Sequence, residues 1–310
     1  MLKIILRNNF SSNSLVLVKR LASTISKPEI SNAVYCASSV KKFDFENFLC
    51  TLLIKDEASR RNAFALRAFN VELARIPTIV SDNKIALMRL KFWEDAVTKL
   101  FDKKCQSLPK HPVVEELGLV LKESKMTKRY FERLVNARKI ANLNFISMKQ
   151  MEQYAEDTVS SINYLILETL NCKNVNADHA ASHLGKAQGI SNLLRSVYHQ
   201  KNPQHLPIPQ ELLIRHGISQ ERFFRNKEND KAVEDVVFDI ATLANQHLEK
   251  SIKLISKIPK EGKMAFLPLI STKRFLEKLQ KVNFNLNDKK LSRRDSLLPL
   301  VLYWNKIKGL

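Results

Sequence analysis

The chain of 310 residues contains 51 lysines and arginines against 31 acidic residues, which gives a formal net charge of +20 at pH 7. Only six residues are glycine, whereas about 7% is usual. This excludes a glycine-rich phosphate-binding loop and disfavours β-hairpin architectures. No two of the four cysteines are spaced as C-x-x-C, so we expect no structural zinc site.

The N-terminal segment contains no acidic residue before Glu29. It combines apolar residues with five serines and five basic residues, which are Lys3, Arg7, Lys19, Arg20 and Lys27. A basic, serine-rich and acid-poor composition is typical of mitochondrial transit peptides. We therefore predict that residues 1–27 are a transit peptide and that residues 28–310 form a single folded domain.

The rest of the chain has the periodicity of helices. Apolar residues recur at intervals of three and four in windows such as residues 113–123 and 231–255, which places them on one helical face. No clear period-two alternation, the pattern of a half-buried strand, is present. The predicted fold class is therefore all-α, and the proline-containing stretch 201–210 is the clearest loop.

Residues 64–82 form a helix-length segment that reads FALRAFNVELARIPTIVSD. Glu72 is its only acid before the last residue, and Arg75 follows about one turn later. An acid and a base at this spacing are usually a salt-bridged or solvated pair on a helix surface. Pro77 removes a backbone donor and tends to kink a helix.

The most specific segment is LGKAQGISNLLRSVYHQ at residues 184–200, which is followed by LPIPQELL at residues 206–213. It resembles the second substrate-binding segment of the squalene/phytoene synthase family. The residues that carry this resemblance are Gly185, Ala187, Gln188, Asn192 and Arg195.

Three other segments extend the resemblance to about residues 35–255. Residues 64–82 resemble the family's first motif, and residues 88–97 its Arg-x-x-x-Trp helix. Residues 154–170 are similar to a helix that lines the substrate cavity in the enzymes. The resemblance implies an isoprenoid-synthase-type helical bundle around a central cavity.

The chain departs from the family at the positions that matter for its chemistry. In the enzymes, each motif has two aspartates four residues apart, and these hold Mg²⁺ against the substrate diphosphate. Residues four apart share a helix face, where two carboxylates can bind Mg²⁺ together. The corresponding residues here are Ala74, Thr78, Ser196 and Gln200, none of them acidic. The resemblance therefore implies a pseudoenzyme that has no catalytic residue, no metal and no cofactor.

A catalytically degenerate branch of the family resembles the chain through two longer segments, ALRAFNVELA at 65–74 and DHAASHLGKAQGI at 178–190. This branch consists of mitochondrial assembly factors for respiratory complex I, the NADH:ubiquinone oxidoreductase. The resemblance implies a non-catalytic assembly factor at the matrix side of the inner membrane. Its partners would be complex I subunits or assembly intermediates.

A pocket inherited from the enzymes is a further expectation from this resemblance. The residues predicted to line this residual pocket or to contact an anion in it are Arg75, Gln188, Asn192 and Arg195. Two arginines are suited to an anionic head group. A lipid or an isoprenoid in the cavity is the corresponding candidate ligand.

The C-terminal region, about residues 256–310, is basic and amphipathic. From Glu249 onward the chain has fifteen lysines and arginines and five acids. Four apolar residues share one helical face here, Phe275, Leu276, Leu279 and Val282. We predict docking on the anionic inner-membrane surface, with contacts from Lys273, Arg274, Lys278, Lys281 and Trp304. The alternative is a core helix with a solvated basic face.

Two other functions are weighed against this hypothesis. An active or lipid-binding prenyl-diphosphate transferase-like protein would need relocated metal ligands. The acidic pair Asp235 and Asp239 has the right spacing but lies in a polar stripe that is typical of a solvent face. A nucleic-acid-binding protein would need aromatic residues interleaved with its basic ones, so we do not expect nucleic acid as a partner.

Overall fold

The computed structural model describes residues 31–80, 82–139, 144–198, 206–225 and 230–310, and all regular structure in these ranges is helical. The predicted transit peptide and Gln200 lie outside the described residues.

Six helices make up the first part of the fold. They are α1 Asn32–Phe43, α2 Phe45–Leu52, α3 Glu57–Ile79, α4 Asn83–Phe101, α5 Pro112–Glu123 and α6 Lys128–Ala137. Several begin at residues whose side chains accept a hydrogen bond from a backbone N–H of the first turn. Ser31, Asp56 and Asp82 do so at the starts of α1, α3 and α4. Such caps satisfy donors that have no partner within the helix.

The second part is built on a long central helix. Its elements are α7 Met148–Ala155, a π-helical turn Glu156–Ser160, α8 Ser161–Thr169, α9 Val175–Val197, α10 Gln210–Arg215, α11 Gln220–Arg225 and α12 Lys231–Leu254. The C-terminal helices are α13 Pro268–Lys281, α14 Lys289–Ser292 and α15 Leu298–Lys308. Short 3₁₀ turns at Ile255–Lys257 and Lys263–Phe266 join α12 to α13.

The central helix is α9, which packs against α7, the π-helical turn, α8, α12 and α13. Two glycines allow the closest of these approaches. A Cβ atom on Gly185 would lie 2.1 Å from Ser160 Oγ and 2.4 Å from Ser160 Cα, and one on Gly189 would lie 2.5 Å from Ala155 Cβ. These positions must therefore be glycine for α9 to pack directly on the π-helical turn and the end of α7.

Aromatic side chains fill the interior between α3, α4 and α6. The Phe69 ring lies edge-on to Trp93, with centroids 5.4 Å apart, and 5.6 Å from the Phe131 ring. Phe69 and Phe131 have no exposed surface, and Trp93 is buried as well. Buried aromatic contacts of this kind stabilise a core beyond the area they remove from water.

The apolar face predicted in the C-terminal region is part of the core. Phe275, Leu276, Leu279 and Val282 each expose 8% or less of their surface. They belong to the same cluster of buried residues as the side chains of α9 and α12. The expectation that this face of α13 is free to meet a membrane is therefore wrong, and α13 is a core helix with a basic outer face.

The close approach at Gly185 leads to a test of stability. Gly185→Ala is expected to lower the free energy of unfolding by about 3 kcal/mol, because the new methyl group meets backbone atoms that cannot move aside. The matched control is Gly118→Ala, whose Cβ would meet only the ends of the Leu108 and Leu100 side chains, 2.7 and 3.8 Å away. That control is expected to change stability by less than about 1 kcal/mol. Chemical denaturation measures both, and equal effects would contradict the packing described for α9.

Candidate functional site

The two positions predicted to correspond to the first pair of aspartates lie at the end of α3. Ala74 and Thr78 are both exposed. The Thr78 hydroxyl donates to the Arg75 carbonyl oxygen at 2.8 Å, and the helix continues through Pro77 to Ile79. Glu72, the nearest acid on this helix, accepts a hydrogen bond from the Tyr35 hydroxyl at 3.2 Å rather than pairing with Arg75. This end of α3 thus presents no pair of carboxylates.

The second set of positions lies along α9. Ser196 is half-buried, and its hydroxyl donates to the Leu193 carbonyl oxygen at 2.7 Å. Asn192 is exposed, whereas Gln188 is buried and donates to Asn47 Oδ1 at 3.3 Å. The predicted pocket contacts on this helix therefore differ in environment, and only Gln188 faces the interior.

Four arginines from other segments of the chain lie around the turn between α1 and α2. Three of them make contacts, Arg75 with Phe43, Arg294 with Phe45 and Arg195 with Glu46. The fourth, Arg67, acts on Asp44 through its charge. The Arg75 guanidinium lies 3.7 Å from the centroid of the Phe43 ring. Arg195 Nη1 lies 2.8 Å from Glu46 Oε2. Both cation–π contacts and ion pairs of this kind fix the turn against the bundle.

The two predicted anion contacts, Arg75 and Arg195, are engaged within the chain. Arg195 pairs with Glu46 and also stacks over the Phe275 ring, 4.2 Å from its centroid. Arg75 stacks over Phe43. Both arginines contact the same turn but at residues three positions apart, so they do not converge on one site. An anionic ligand would have to compete with Glu46 for Arg195.

Arg67 is the most deeply buried of the four arginines, with 5% of its surface exposed. Burial lowers the pKa of Arg67, and the charge of Asp44 opposes this effect. Burial likewise raises the pKa of Asp44, against the charge of Arg67 and the hydrogen bonds from Asn47. The sequence did not single out Arg67, because its burial depends on α2 packing over α3.

The half-buried His183 of α9 pairs with the buried His247 of α12. His183 Nδ1 and His247 Nδ1 lie 2.9 Å apart, so one nitrogen donates a hydrogen bond to the other. On its other side His247 Nε2 lies 3.4 Å from Glu152 Oε1, which also accepts a hydrogen bond from Lys186 at 2.8 Å. Burial lowers the pKa of His247 to about 4. The network joins α7, α9 and α12.

Sequence reasoning could not find this pair, because His247 is 64 residues from His183 and lies on another helix. Over the part of the chain that the structure describes, no three His, Cys, Asp or Glu side chains are grouped so that they could hold a metal ion. The acidic pair on α12 is engaged separately: Asp235 pairs with Lys231 at 2.7 Å, and Asp239 lies 2.9 Å from His216 Nε2.

The predicted membrane contacts on α13 fall into two groups. Lys273 and Lys281 are exposed. Arg274 pairs with Asp295 at 2.5 Å, and Lys278 donates to the Arg293 carbonyl oxygen at 2.9 Å. Arg274 and Lys278 line two adjoining surface cavities between α13 and residues 291–298. Their volumes are about 180 and 300 Å³.

Trp304, the remaining predicted membrane contact, lies on α15 and exposes 58% of its surface. None of the helices in the described ranges combines the length and apolar character needed to cross a bilayer.

The helical bundle and these motif positions can be compared with known proteins. The family model for squalene/phytoene synthase matches residues 40–297. The chain belongs to the squalene/phytoene synthase family. The family predicted from residues 184–200 is thereby confirmed.

Solved structures of this family share the fold. A dehydrosqualene synthase superposes with a TM-score of 0.74 at 18% identity, over 90% of this chain and 97% of that one. The squalene synthase HpnC from Alicyclobacillus acidocaldarius superposes with a TM-score of 0.69 at 14% identity, over 82% and 95%. The predicted all-α, isoprenoid-synthase-type bundle is confirmed.

Relatives with higher identity carry another name, NADH dehydrogenase (ubiquinone) complex I, assembly factor 6. The Drosophila melanogaster homolog is 45% identical over 279 residues, 89% of this chain and 83% of that protein. The Rattus norvegicus protein is 42% identical over 296 residues, and the Homo sapiens protein 41% over 278. These cover 93% and 88% of the present chain, and 87% and 82% of the relatives.

The histidine pair leads to a prediction about pH. Folding lowers the pKa of His247 from its usual 6.5 to about 4. Between these two pH values the unfolded chain therefore binds more protons than the folded chain. The free energy of unfolding should therefore fall as the pH falls, by about 2 kcal/mol from this group between about pH 7.5 and pH 5. Urea denaturation of the native chain and of His247→Gln measures the difference in slope. His179→Gln, on the exposed side of α9, is the matched control, and the same slope in native protein and His247→Gln would contradict the prediction.

Proposed function

We propose that this chain is a non-catalytic assembly factor for mitochondrial respiratory complex I. The observation that carries the proposal is the identity of about two residues in five, over most of its length, to animal proteins named for this role. A Dictyostelium discoideum homolog with the same name is 35% identical over 270 residues. The proposed partners are complex I subunits or assembly intermediates.

The absence of catalysis is the second part of the proposal. A diphosphate leaves a prenyl chain readily only when its developing charge is neutralised, which Mg²⁺ held by carboxylates can do. Ala74, Thr78, Ser196 and Gln200 supply no carboxylate at the four aligned positions. Arg75 and Arg195, which adjoin Ala74 and Ser196 in the chain, are already in contact with Phe43 and Glu46. They therefore do not replace the metal.

The location is proposed to be the matrix side of the inner mitochondrial membrane. The basic, acid-free residues 1–27 support removal as a transit peptide, which would leave the helical domain 28–310. The fifteen basic residues after Gln246 support peripheral attachment to an anionic membrane surface.

Ligand binding without catalysis is the second candidate function, since some buried polar atoms lack partners. Arg67 Nε, Gln188 Oε1 and Ser191 Oγ are buried and have no hydrogen-bond partner. Buried water commonly satisfies such atoms, and the polar head of a lipid or isoprenoid would do so too. A thermal shift with farnesyl phosphate that is lost in Gln188→Leu would favour this second function.

The assembly role is tested by complementation. In human cells that lack their own complex I assembly factor 6, the full chain is expected to restore assembled complex I, measured by native electrophoresis. A chain without residues 1–27 is expected to stay in the cytosol and fail, because the import signal is missing. Adding an unrelated mitochondrial transit peptide to that truncated chain should restore both import and assembly. Failure of the imported chain to restore complex I would overturn the proposed function.

The non-catalytic part has its own test. Purified protein incubated with Mg²⁺ and farnesyl or geranylgeranyl diphosphate is expected to release no diphosphate above the enzyme-free rate. An active squalene synthase assayed in parallel is the positive control. Release that depends on both protein and Mg²⁺ would show that the metal ligands have moved elsewhere in the chain.

A further inference from the structure

The last helix, α15, presents an apolar face to solvent. Five side chains on it are each 55–69% exposed, and they are Leu297, Leu300, Tyr303, Trp304 and Ile307. At 3.6 residues per turn these positions fall within an arc of about 120°. The face is therefore a continuous stripe rather than scattered exposed residues.

The other side of α15 is fixed to the bundle. Leu298 and Leu302 are buried, and they form a small cluster with Cys50 of α2 and Leu267 before α13. The helix ends with Gly309 in the left-handed conformation, φ 82°, and Lys263 Nζ donates to the Gly309 carbonyl oxygen at 3.0 Å. The orientation of the exposed stripe is thus set by packing on the opposite side. Contiguous apolar surface held outward in this way commonly marks an interaction site.

Basic residues are frequent in the sequence that leads into α15 and at its end. Between residues 289 and 308 there are six, which are Lys289, Lys290, Arg293, Arg294, Lys306 and Lys308. The one acid in this interval, Asp295, is paired with Arg274. The cavity of about 300 Å³ beside α13, lined by Arg274, Lys278 and Arg294, includes Leu297 at the start of the stripe. The rim therefore carries an excess of positive charge.

We propose that α15 lies in the plane of an anionic phospholipid surface, with the stripe in the acyl-chain boundary and the basic rim at the head groups. An apolar face with a tyrosine, a tryptophan and basic flanks has the composition of an interfacial helix. Its 11 residues are too few to cross a bilayer. A rim with net positive charge is complemented by anionic lipid. It would be complemented less well by a protein groove that binds a helix and has a neutral rim. This inference rests on the proposed membrane location and names the element that makes the contact.

Tryptophan fluorescence tests the contact directly, because the chain has only two tryptophans and Trp93 is buried. The full chain is mixed with vesicles of phosphatidylcholine alone or of phosphatidylcholine with cardiolipin. On the anionic vesicles the emission should shift to the blue and be quenched by brominated acyl chains. Trp304→Phe should abolish both changes, whereas neutral vesicles should produce much weaker ones.

A triple variant, Leu300→Gln with Trp304→Gln and Ile307→Gln, tests the energetics in a flotation assay. Its partitioning to cardiolipin vesicles should fall on the order of a hundredfold, because three exposed apolar side chains no longer enter the lipid. The matched control carries Met88→Gln and Ile214→Gln, two apolar residues that are 72% and 79% exposed on other helices. It should bind like the native chain, and circular dichroism should show native helicity in both variants.

Three results would overturn the inference. The first is that Trp304 fluorescence is not quenched on anionic vesicles. The second is that the triple variant binds these vesicles as well as the native chain does. The third is that the native chain is a dimer and the triple variant a monomer, which would mean that a second copy covers the stripe. Complementation separates this inference from the proposed function. If the native chain restores complex I while the triple variant stays on mitochondrial membranes, only the role of α15 fails. If the imported native chain does not restore complex I, the proposed function itself fails.

Discussion

The contact between α9 and the π-helical turn is the constraint on which the rest of the bundle depends. Gly185 and Gly189 let α9 approach Ser160 and Ala155 at distances that no Cβ would permit. From this position α9 also reaches α12, α13 and α8. Since α9 carries both Gln188 and Arg195, the same contact determines the position of the segment that resembles the family's second substrate-binding segment.

The arginines around the turn between α1 and α2 show that positive charge has a structural use in this family scaffold. A site built for diphosphate needs cations that are free to meet a ligand, and here Arg75 and Arg195 bind Phe43 and Glu46 instead. Arg67 adds a buried charge beside Asp44. Charges engaged in this way contribute to holding α2 against α3 and α9, so selection on them can act through stability rather than through catalysis.

The C-terminal region shows why patterns of apolar and basic residues do not reveal burial. Helices α13 and α15 both combine an apolar face with lysines, yet Phe275 and Leu279 are buried whereas Leu300 and Trp304 are exposed. The difference arises because α13 packs against α9 and α12, while α15 buries only Leu298 and Leu302. The sequence-based prediction placed four of its five membrane contacts on α13 and only Trp304 on α15, where the exposed apolar surface lies.

Residue identities and local periodicity determined two features by themselves. The helical class follows from spacing within single segments, and the lack of carboxylates at Ala74, Thr78 and Ser196 can be read directly from the letters. Only the tertiary structure decided which side chains meet. His183 pairs with His247 across 64 positions, and Arg195 with Glu46 across 149. The physical reason is that burial and partnership depend on helices distant in sequence, whereas helix formation and the chemistry of one side chain do not.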